Sequence, residues 1–323
     1  MKKGKRLLAM LVVGTMMMSL LVGCSKENDS SATNTEEGSS DGKFVIGYCN
    51  GADSDVFMVA RKDAFSEVAG ENADIEIKYA DANKDVQKQL SDADTFISNK
   101  VDCLVLVPND AEAIVPAVES ANAAGIPVIC LGIKAASGDF IYVGSENYEA
   151  GRMQGEYFAE ELPEDAKILY LAGTAGMDHS QARQEGFETA LKDAGRDDVE
   201  ILANLDGDYD MAKAMQITED WIQKFSSFDG ICAANDQMAL GAIEALKGAN
   251  RLKGVMVTGI DGLKEAYDAI ENDEMVQTIL QDAPGQANAA YEVVERLMKG
   301  ESIEDEVLVP FVSITKDNVA EYK

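Results

Sequence analysis

The sequence predicts an α/β protein that is built from two doubly wound parallel-sheet lobes. Short apolar segments with the length of buried strands alternate with longer segments whose apolar residues recur at helical spacing. The alternation begins near residue 43 and starts again near residue 149. Strands that are separated by helices form parallel sheets covered on both faces. Two such units in series therefore predict two lobes with a cleft between them.

The first unit contains five predicted strands and three predicted helices. The segment at 101–107 is almost continuously apolar and stops at Pro108, whereas the segment at 75–79 alternates as a half-exposed strand does. Gly125 is expected to end the third helix, because glycine commonly follows a helix C-terminus. The strands are predicted at 44–49, 75–79, 101–107, 127–131 and 140–143, and the helices at 57–68, 86–97 and 114–121.

The second unit repeats this pattern and closes with an extended segment at 307–314. Its strands are predicted at 167–171, 199–203, 231–234, 255–258 and 275–280, and its helices at 149–161, 180–194, 211–225, 236–246, 263–271 and 286–298.

The stretch at 230–246 joins a buried strand to a helix through Asn235 and Asp236. One of these side chains suffices to cap the helix N-terminus. The other is then free to face the crevice at the carboxyl end of the strand, where ligands bind in open parallel sheets. We assign Asn235 to a ligand and Asp236 to the helix N-terminus, where its charge also suits the helix dipole.

The N-terminal segment has the features of an export signal. Positive residues at 2–6 precede an apolar stretch at 7–22, which is shorter than a membrane span of about 20 residues. The sequence Leu-Val-Gly-Cys at 21–24 resembles a bacterial lipobox. We therefore predict a lipoprotein signal peptide at 1–23, a lipid anchor on Cys24 and a flexible tether at 24–42, which is polar and has few apolar residues.

Composition and charge exclude several functional classes. The 323 residues suffice for about two domains, and the formal net charge of −30 becomes −34 without the signal peptide. Such a surface repels nucleic acid phosphates. The remaining cysteines lie in or beside separate apolar segments, and the chain has one histidine, His179, and no GxSxG motif. We therefore expect no catalytic residues, metal or cofactor, and buried cysteines at 49, 103, 130 and 232.

Polar and aromatic side chains follow strand after strand at the same predicted edge of each sheet. Bidentate carboxylate, amide and guanidinium groups match the vicinal hydroxyls of a sugar, and aromatic rings match its C–H face. This recurrence predicts a site for a polyhydroxylated ligand. The residues concerned are Asp53, Ser54, Asp55, Phe57, Met58, Arg183, Asp206, Asp208, Tyr209, Asn235, Asp261, Gln281 and Asp282.

From Lys43 to its C-terminus, the sequence resembles the ribose-type periplasmic sugar-binding proteins, the solute receptors of ABC importers. The resemblance rests on the segments Ala-Asn-Asp-Gln-Met-Ala-Leu-Gly-Ala at 234–242, Thr-Gly-Ile-Asp-Gly at 258–262, Gly-Ile-Pro-Val at 125–128 and Gln-Ala-Arg-Gln-Glu-Gly-Phe at 181–187. It implies the type I periplasmic-binding-protein fold, whose two lobes are joined by a three-crossover hinge. The lobes would comprise 43–145 plus 282–309, and 146–281 plus 310–323.

The resemblance also implies roles for single residues. Arg183, Asn235, Asp261 and Gln281 would bind sugar hydroxyls, and Phe57 and Tyr209 would pack on the ring from opposite lobes. Two further residues, Asp55 and Met58, stand where ribose-type proteins carry an asparagine and a second phenylalanine. Further candidates for ligand contact are Ser54, Lys134 and His179.

The chain departs from the ribose pattern in the first lobe. Gly132 and Ile133 stand where ribose-type proteins carry an Asp-Arg pair, and Lys134 is the next polar residue. A ligand-contacting asparagine of the ribose type is replaced by Val107, with Asn109 and Asp110 just beyond it. A site that is built to bond a hydroxyl discriminates strongly against analogues that lack it. We therefore expect the ligand to differ from ribose.

The predicted function is that of an extracytoplasmic, lipid-anchored and monomeric receptor. It would capture a monosaccharide or similar polyol and deliver it to an ABC permease and its ATPase. One alternative is a receptor for a membrane sensor kinase or for a signalling furanone. An enzyme would need a general base, for which Asp55 or Asp261 could serve. A repressor would need a basic DNA-binding segment, which this sequence lacks.

Overall fold

The computed structural model describes residues 42–323. The predicted signal peptide, Cys24 and all but the last residue of the predicted tether lie outside the described residues. In chain order the elements are β1 (Phe44–Asn50), α1 (Val56–Gly70), β2 (Ile75–Asp81), α2 (Val86–Ser98), β3 (Cys103–Leu106), α3 (Val115–Ala123), β4 (Val128–Leu131), β5 (Ile141–Gly144), α4 (Asn147–Glu161), β6 (Lys167–Ala172), α5 (Asp178–Asp193), β7 (Glu200–Asp206), α6 (Met211–Lys224), β8 (Gly230–Ala233), α7 (Asp236–Gly248), β9 (Met256–Asp261), α8 (Lys264–Glu271), β10 (Gln277–Leu280), α9 (Ala283–Met298), β11 (Glu306–Leu308) and β12 (Val312–Thr315).

The strands form two six-stranded sheets with the same winding. The first sheet has the order β11-β5-β4-β3-β1-β2, and the second has the order β12-β10-β9-β8-β6-β7. Pairing is parallel throughout, except that β12 runs antiparallel to β10. The chain passes between the two sheets after β5, after β10 and after β11. The predicted fold class is therefore confirmed.

The extended segment predicted at 307–314 is divided between the two sheets. Glu306–Leu308 pairs with β5 in the first sheet, and Val312–Thr315 pairs with β10 in the second. Pro310 lies between these strands and has no backbone N–H to donate to a ladder. The predicted extended segment thus consists of two short strands, and the antiparallel pairing of β12 with β10 is the one exception among the otherwise parallel strand pairs of the described residues.

Helices cover both faces of each sheet. Along β1 the side chains of Ile46 and Tyr48 pack toward α1 and α9, whereas those of Val45 and Cys49 pack toward α2 and α3. The second sheet is covered by α4 and α5 on one face and by α6, α7 and α8 on the other. We call the first sheet with α1, α2, α3 and α9 the first lobe, and the second sheet with α4 to α8 the second lobe.

The four cysteines of the described chain are small buried residues of the sheets. They lie in β1, β3, β4 and β8, and all four thiols are free. Burial raises the pKa of Cys49, Cys103 and Cys130 to about 12, so these thiols stay protonated at neutral pH.

Glycines bring α4 and α5 into close contact. A Cβ atom on Gly151 would overlap the backbone carbonyl of Arg183, and a Cβ on Gly186 would overlap the backbone carbonyl of Tyr148. Because both obstacles are backbone atoms, no side-chain rotation can relieve the overlap. This contact fixes the position of Arg183 relative to α4, which matters for the site described below.

Replacing Gly151 by alanine should force α4 and α5 apart and lower the free energy of unfolding by about 2–3 kcal/mol. Urea denaturation followed by circular dichroism measures this change. Gly248→Ala is the matched control, because Gly248 lies in α7 with nothing within 4 Å of its Cβ position. That control should leave stability unchanged or raise it by up to about 1 kcal/mol. Equal stabilities for the two variants would contradict the packing argument.

Candidate ligand-binding site

A cavity of about 290 Å³ lies between the two lobes, at the carboxyl ends of the strands. Its lining comes from the segment after β1, from the segment after β4 and from the ends of β8, β9 and β10. The structure brings together the eight residues that the resemblance singled out for ligand contact and one of the further candidates, His179. Those lining residues are Asp55, Phe57, Met58, His179, Arg183, Tyr209, Asn235, Asp261 and Gln281. Asp53, Asp206 and Asp282 of the predicted strand-end set do not line this cavity.

Arg183 is the best-fixed polar group of the cavity. It lies on α5, is 4% exposed, and donates from Nε to Asn147 Oδ1 at 2.9 Å. Its Nη1 donates to the Ala234 carbonyl at 2.6 Å, and its Nη2 donates to Gln281 Oε1 at 3.0 Å. Three acceptors from three different segments thus hold the guanidinium in one orientation. All three are uncharged, so the positive charge of Arg183 remains available to groups in the cavity.

Asn235 both caps a helix and lines the cavity. Its Oδ1 accepts a hydrogen bond from the backbone N–H of Met238 at 3.0 Å, which makes it the N-cap of α7. The strand–helix junction therefore uses one side chain for two purposes: the amide oxygen serves the helix, and the amide nitrogen can donate to a ligand.

The assignment of the capping role to Asp236 is wrong. Asp236 is the first residue of α7, and its carboxylate accepts hydrogen bonds from the backbone N–H groups of Gly262 at 2.9 Å and Leu263 at 2.8 Å. It also accepts from Thr278 Oγ1 at 2.7 Å. Burial raises the pKa of Asp236 to about 6. Its role is to hold the segment that follows β9, the strand that ends at Asp261.

Asp261 is a buried carboxyl group on a strained backbone. It is 8% exposed, its φ is 137°, and Gly262 after it also has a positive φ. Burial raises the pKa of Asp261 well above its usual range; Asp236 and Asp55 add to this rise, and the charge of Arg183 opposes it. Strain and an elevated pKa in one cavity residue are typical of a functional position.

The first lobe contributes the start of α1. Asp55 is the N-cap of this helix and accepts from the Met58 backbone N–H through Oδ1 at 2.9 Å. Phe57 follows in the first turn, and its ring centroid lies 5.3 Å from the guanidinium carbon of Arg61. The same turn therefore presents a carboxylate and an aromatic ring to the cavity.

An aromatic pair forms part of the second-lobe wall. The rings of His179 and Tyr209 are stacked with centroids 5.3 Å apart and an interplanar angle of 16°. Gly173 leaves room for the tyrosine, because a Cβ there would overlap the ring. Burial lowers the pKa of His179 to about 3 and raises that of Tyr209 to about 12. Both rings are therefore neutral at neutral pH.

Two of the further candidates do not line the cavity. Ser54 is exposed, and Lys134 lies elsewhere on the first lobe, where its Nζ is 2.6 Å from Glu306 Oε1 and 4.7 Å from the Tyr142 ring centroid. The expectation that Lys134 could replace the missing polar pair at the end of β4 is therefore not supported by its position.

Several polar residues of the cavity were not among the predicted site residues, and two of them, Arg61 and Asn147, take part in its hydrogen-bond network. Asn147 accepts from Arg183, and Arg61 reaches the cavity from α1. A signal for Arg61 was present in the sequence, because it stands one helical turn after Phe57 and therefore on the same face of the helix. Its consequences are treated below.

The chain belongs to the periplasmic binding protein family, because residues 46–302 match the model of the periplasmic binding protein domain. Proteins of this family bind ligands and are not enzymes, and the chain is accordingly a ligand-binding protein. The family is periplasmic or extracytoplasmic. Within residues 42–323, no helix has both the length and the apolar character that crossing a membrane requires.

Known relatives agree with this assignment. The ribose import binding protein RbsB of Bacillus subtilis is 29% identical over 303 residues, which is 94% of this chain and 97% of that protein. An ABC transporter solute binding protein of Bacillus halodurans, solved with bound myo-inositol, shares 30% identity and a TM-score of 0.82, covering 88% of this chain and 99% of that one.

A second similar structure is the fructose-binding periplasmic domain of a hybrid two-component system. It shares 25% identity with a TM-score of 0.81 and covers 86% of this chain and 93% of that chain. The predicted resemblance to ribose-type sugar-binding proteins is thus confirmed.

Proposed function

We propose that this chain is the solute-binding lipoprotein of an ABC importer and that it captures a monosaccharide or a similar polyol in the cavity between its lobes. The observation that carries the proposal is the set of fixed polar groups from α5 and from the ends of β8, β9 and β10. Arg183 and Asn235 provide donors, and Asp261 provides a carboxyl group, in one cavity. Alternating donors and acceptors are what the hydroxyls of a sugar ring require.

The two walls of the cavity have complementary tasks in this proposal. The second lobe supplies the hydrogen bonds through Arg183, Asn235, Asp261 and Gln281. The first lobe supplies Asp55 and the apolar surface of Phe57 and Met58, and Tyr209 faces them from the second lobe. Such a ligand would be bound by both lobes at once, so its binding would favour the closed arrangement.

We propose that the three chain segments between the sheets act as a hinge, with lobe boundaries at 43–145 plus 282–309 and 146–281 plus 310–323. Gln281 supports this view, because it follows β10 where the chain leaves the second sheet. Its side chain accepts from Arg183, and its backbone N–H donates to the Asp261 carbonyl at 3.1 Å. One residue thus links the hinge segment to two residues of the site.

Cys24 would attach the protein to the membrane. We propose that the chain is cleaved before Cys24, that a lipid on its sulfur anchors the mature protein outside the cytoplasm, and that the polar segment up to residue 42 tethers the binding lobes. The protein would act as a monomer, and the closed lobes would be the form that the permease recognises.

A thermal-shift screen tests the proposed function. The panel contains D-ribose, D-allose, D-fructose, xylitol, myo-inositol and sugar acids. A ligand at 100 times its dissociation constant should raise the free energy of unfolding by about 2.7 kcal/mol, because it binds the folded state only. For a protein of this size the melting temperature should rise by roughly 5–10 °C. No shift with any member of the panel would contradict the proposal.

A receptor for a membrane sensor kinase is the second candidate. It is favoured by the similarity to the fructose-binding domain of a hybrid two-component system. The genes beside this one distinguish the two candidates, since an importer receptor should be encoded beside a permease and an ATPase. A neighbouring sensor kinase without those genes would favour the second candidate.

A further inference from the structure

Arg61 is a buried cation at the first-lobe wall of the cavity. It lies on α1, is 2% exposed, and lines the cavity. Its Nη1 donates to Gln286 Oε1 at 2.8 Å, and Gln286 Nε2 donates to Ser145 Oγ at 2.9 Å. The Nε of Arg61 is buried without an acceptor. The guanidinium is thus held from α9, with donor capacity to spare.

The guanidinium occupies the space of a side chain that Gly132 does not have. Gly132 follows β4 with a φ of 80°, and a Cβ placed on it would lie 2.8 Å from Arg61 Cζ and closer still to Nη1. Any side chain at this position would therefore displace the guanidinium. The polar group at the carboxyl end of β4 comes from α1 and not from the strand itself.

No acid in the described part of the chain lies within ion-pair distance of Arg61. Its neighbours Gln286 and Phe57 are uncharged, and burial raises the pKa of the nearby phenols of Tyr48 and Tyr142 to about 12. A buried charge without a partner is unfavourable.

The charge of Arg61 is nevertheless felt across the cavity. His179 lies on the second-lobe wall, and its pKa is lowered to about 3 mainly by burial, with smaller contributions from the charges of Arg183 and Arg61. Among the carboxyl groups of the cavity, half-buried Asp55 caps α1 on the same wall, and buried Asp261 lies on the opposite wall in the electrostatic range of Arg183. Arg61 is therefore a donor-only, positive group on a wall that also carries Asp55 and Asp110, and this wall faces the hydrogen-bonding groups of the second lobe.

Building on the proposed function, we propose that Arg61 is a specificity-determining residue and that it selects a sugar acid. The ligand carboxylate would lie against the Arg61 guanidinium, and the ligand hydroxyls would face Asn235 and Asp261. Guanidinium groups only donate, and they bind carboxylates through two parallel hydrogen bonds. A carboxylate also supplies the negative partner that the Arg61 cation lacks, whereas a neutral hydroxyl group supplies no charge.

Calorimetric titration of matched pairs tests this inference. The pairs are D-galacturonate with D-galactose and D-gluconate with D-sorbitol. In the unmodified protein, the acid of at least one pair should bind at least tenfold more tightly than its neutral partner. Arg61→Met keeps the apolar stem and removes every donor, and it should reduce this preference to less than threefold. Arg61→Lys keeps the charge without the bidentate geometry and should retain an intermediate preference.

The melting temperature of each variant shows whether a loss of binding results from misfolding. Arg61→Met should melt at or above the temperature of the unmodified protein, because replacing an unpaired buried charge by an apolar side chain is commonly neutral or stabilising. Gly132→Ala provides an independent test, since its methyl group would displace the guanidinium while Arg61 remains in the chain. It should abolish the preference for the acid in the same way as Arg61→Met.

Three results would overturn the inference: neutral partners that bind as tightly as the acids, an acid preference that survives Arg61→Met, or one that survives Gly132→Ala. If D-ribose or myo-inositol binds and no acid does, this inference fails and the proposed function stands. If no sugar, polyol or sugar acid binds, the proposed function fails and the inference fails with it.

Discussion

Asp261→Asn should stabilise the free protein above neutral pH. It should also weaken sugar binding about 10- to 100-fold, because one hydrogen bond to a charged group is lost. Burial raises the pKa of Asp261 in the folded protein. The folded state therefore holds this proton more tightly than the unfolded chain. Stability consequently falls as pH rises from the ordinary carboxyl pKa near 4 through the higher folded pKa. Asparagine does not ionise, so the variant avoids this loss.

Melting temperatures between pH 4 and pH 9, measured without ligand, test the stability part of this prediction. The advantage of Asp261→Asn should be largest at the alkaline end and should shrink toward pH 4. Sugar affinity of the unmodified protein should increase with pH as Asp261 ionises, and that of the variant should not. Asp236→Asn is the matched control. It also removes a buried carboxylate, but it disturbs two backbone hydrogen bonds and should destabilise the protein.

This prediction has a clear contrary outcome. If Asp261→Asn lowered the melting temperature across the whole pH range while binding was retained, Asp261 would be a structural residue and not part of the site. Asp261 has a positive φ and is buried, and both features lower the stability of the free protein. We expect this cost because the surrounding structure holds functional groups in unfavourable states.

Arg183→Lys should lower sugar affinity at least 100-fold and reduce the free energy of unfolding by about 2–4 kcal/mol. Lysine cannot reach Asn147, the Ala234 carbonyl and Gln281 in the planar arrangement of a guanidinium, so buried acceptors lose their donors. Urea denaturation and calorimetric titration measure the two effects.

The matched control is Arg152→Lys. Arg152 faces solvent on α4 and forms ion pairs with Glu156 and Asp193. Surface ion pairs contribute little, so this variant should leave both stability and binding nearly unchanged. Similar effects of the two substitutions would contradict the central position given to Arg183.

Local patterns predict the fold well because each strand and helix of this chain carries its own periodicity. The apolar strands β3, β4 and β8 are buried throughout, and their lengths distinguish them from the helices. The division of the segment at 307–314 into two strands has a physical cause. Which sheet a short extended segment joins depends on the partner strand, and the only local sign of the division is Pro310.

The second-lobe wall could be predicted because the carboxyl ends of neighbouring parallel strands meet at one edge. Arg183, Asn235 and Asp261 line the cavity as that rule suggests. The division of labour between Asn235 and Asp236 could not be predicted, because both residue types cap helices equally well. What decides between them is the pair of backbone N–H groups after β9, which only the folded chain brings to Asp236.

The first-lobe wall was harder to predict because its polar group comes from an unexpected element. Gly132 stands where ribose-type proteins carry a polar side chain, and Lys134 is the nearest polar residue in sequence that could replace it. In the structure Lys134 bonds to Glu306, and Arg61 fills the gap from α1. Arg61 and Gly132 are far apart along the chain, and nothing in either local segment indicates that they meet.

The central claim is that one cavity between the lobes binds one small hydroxylated ligand through Arg183, Asn235 and Asp261. Isothermal titration of the purified protein with the strongest ligand from the thermal-shift panel tests it most directly. We predict saturable binding with one ligand per chain, with an affinity about 10- to 100-fold lower in Asp261→Asn and at least about 100-fold lower in Arg183→Lys. Binding of the same ligand with unchanged affinity in both folded variants would contradict the account.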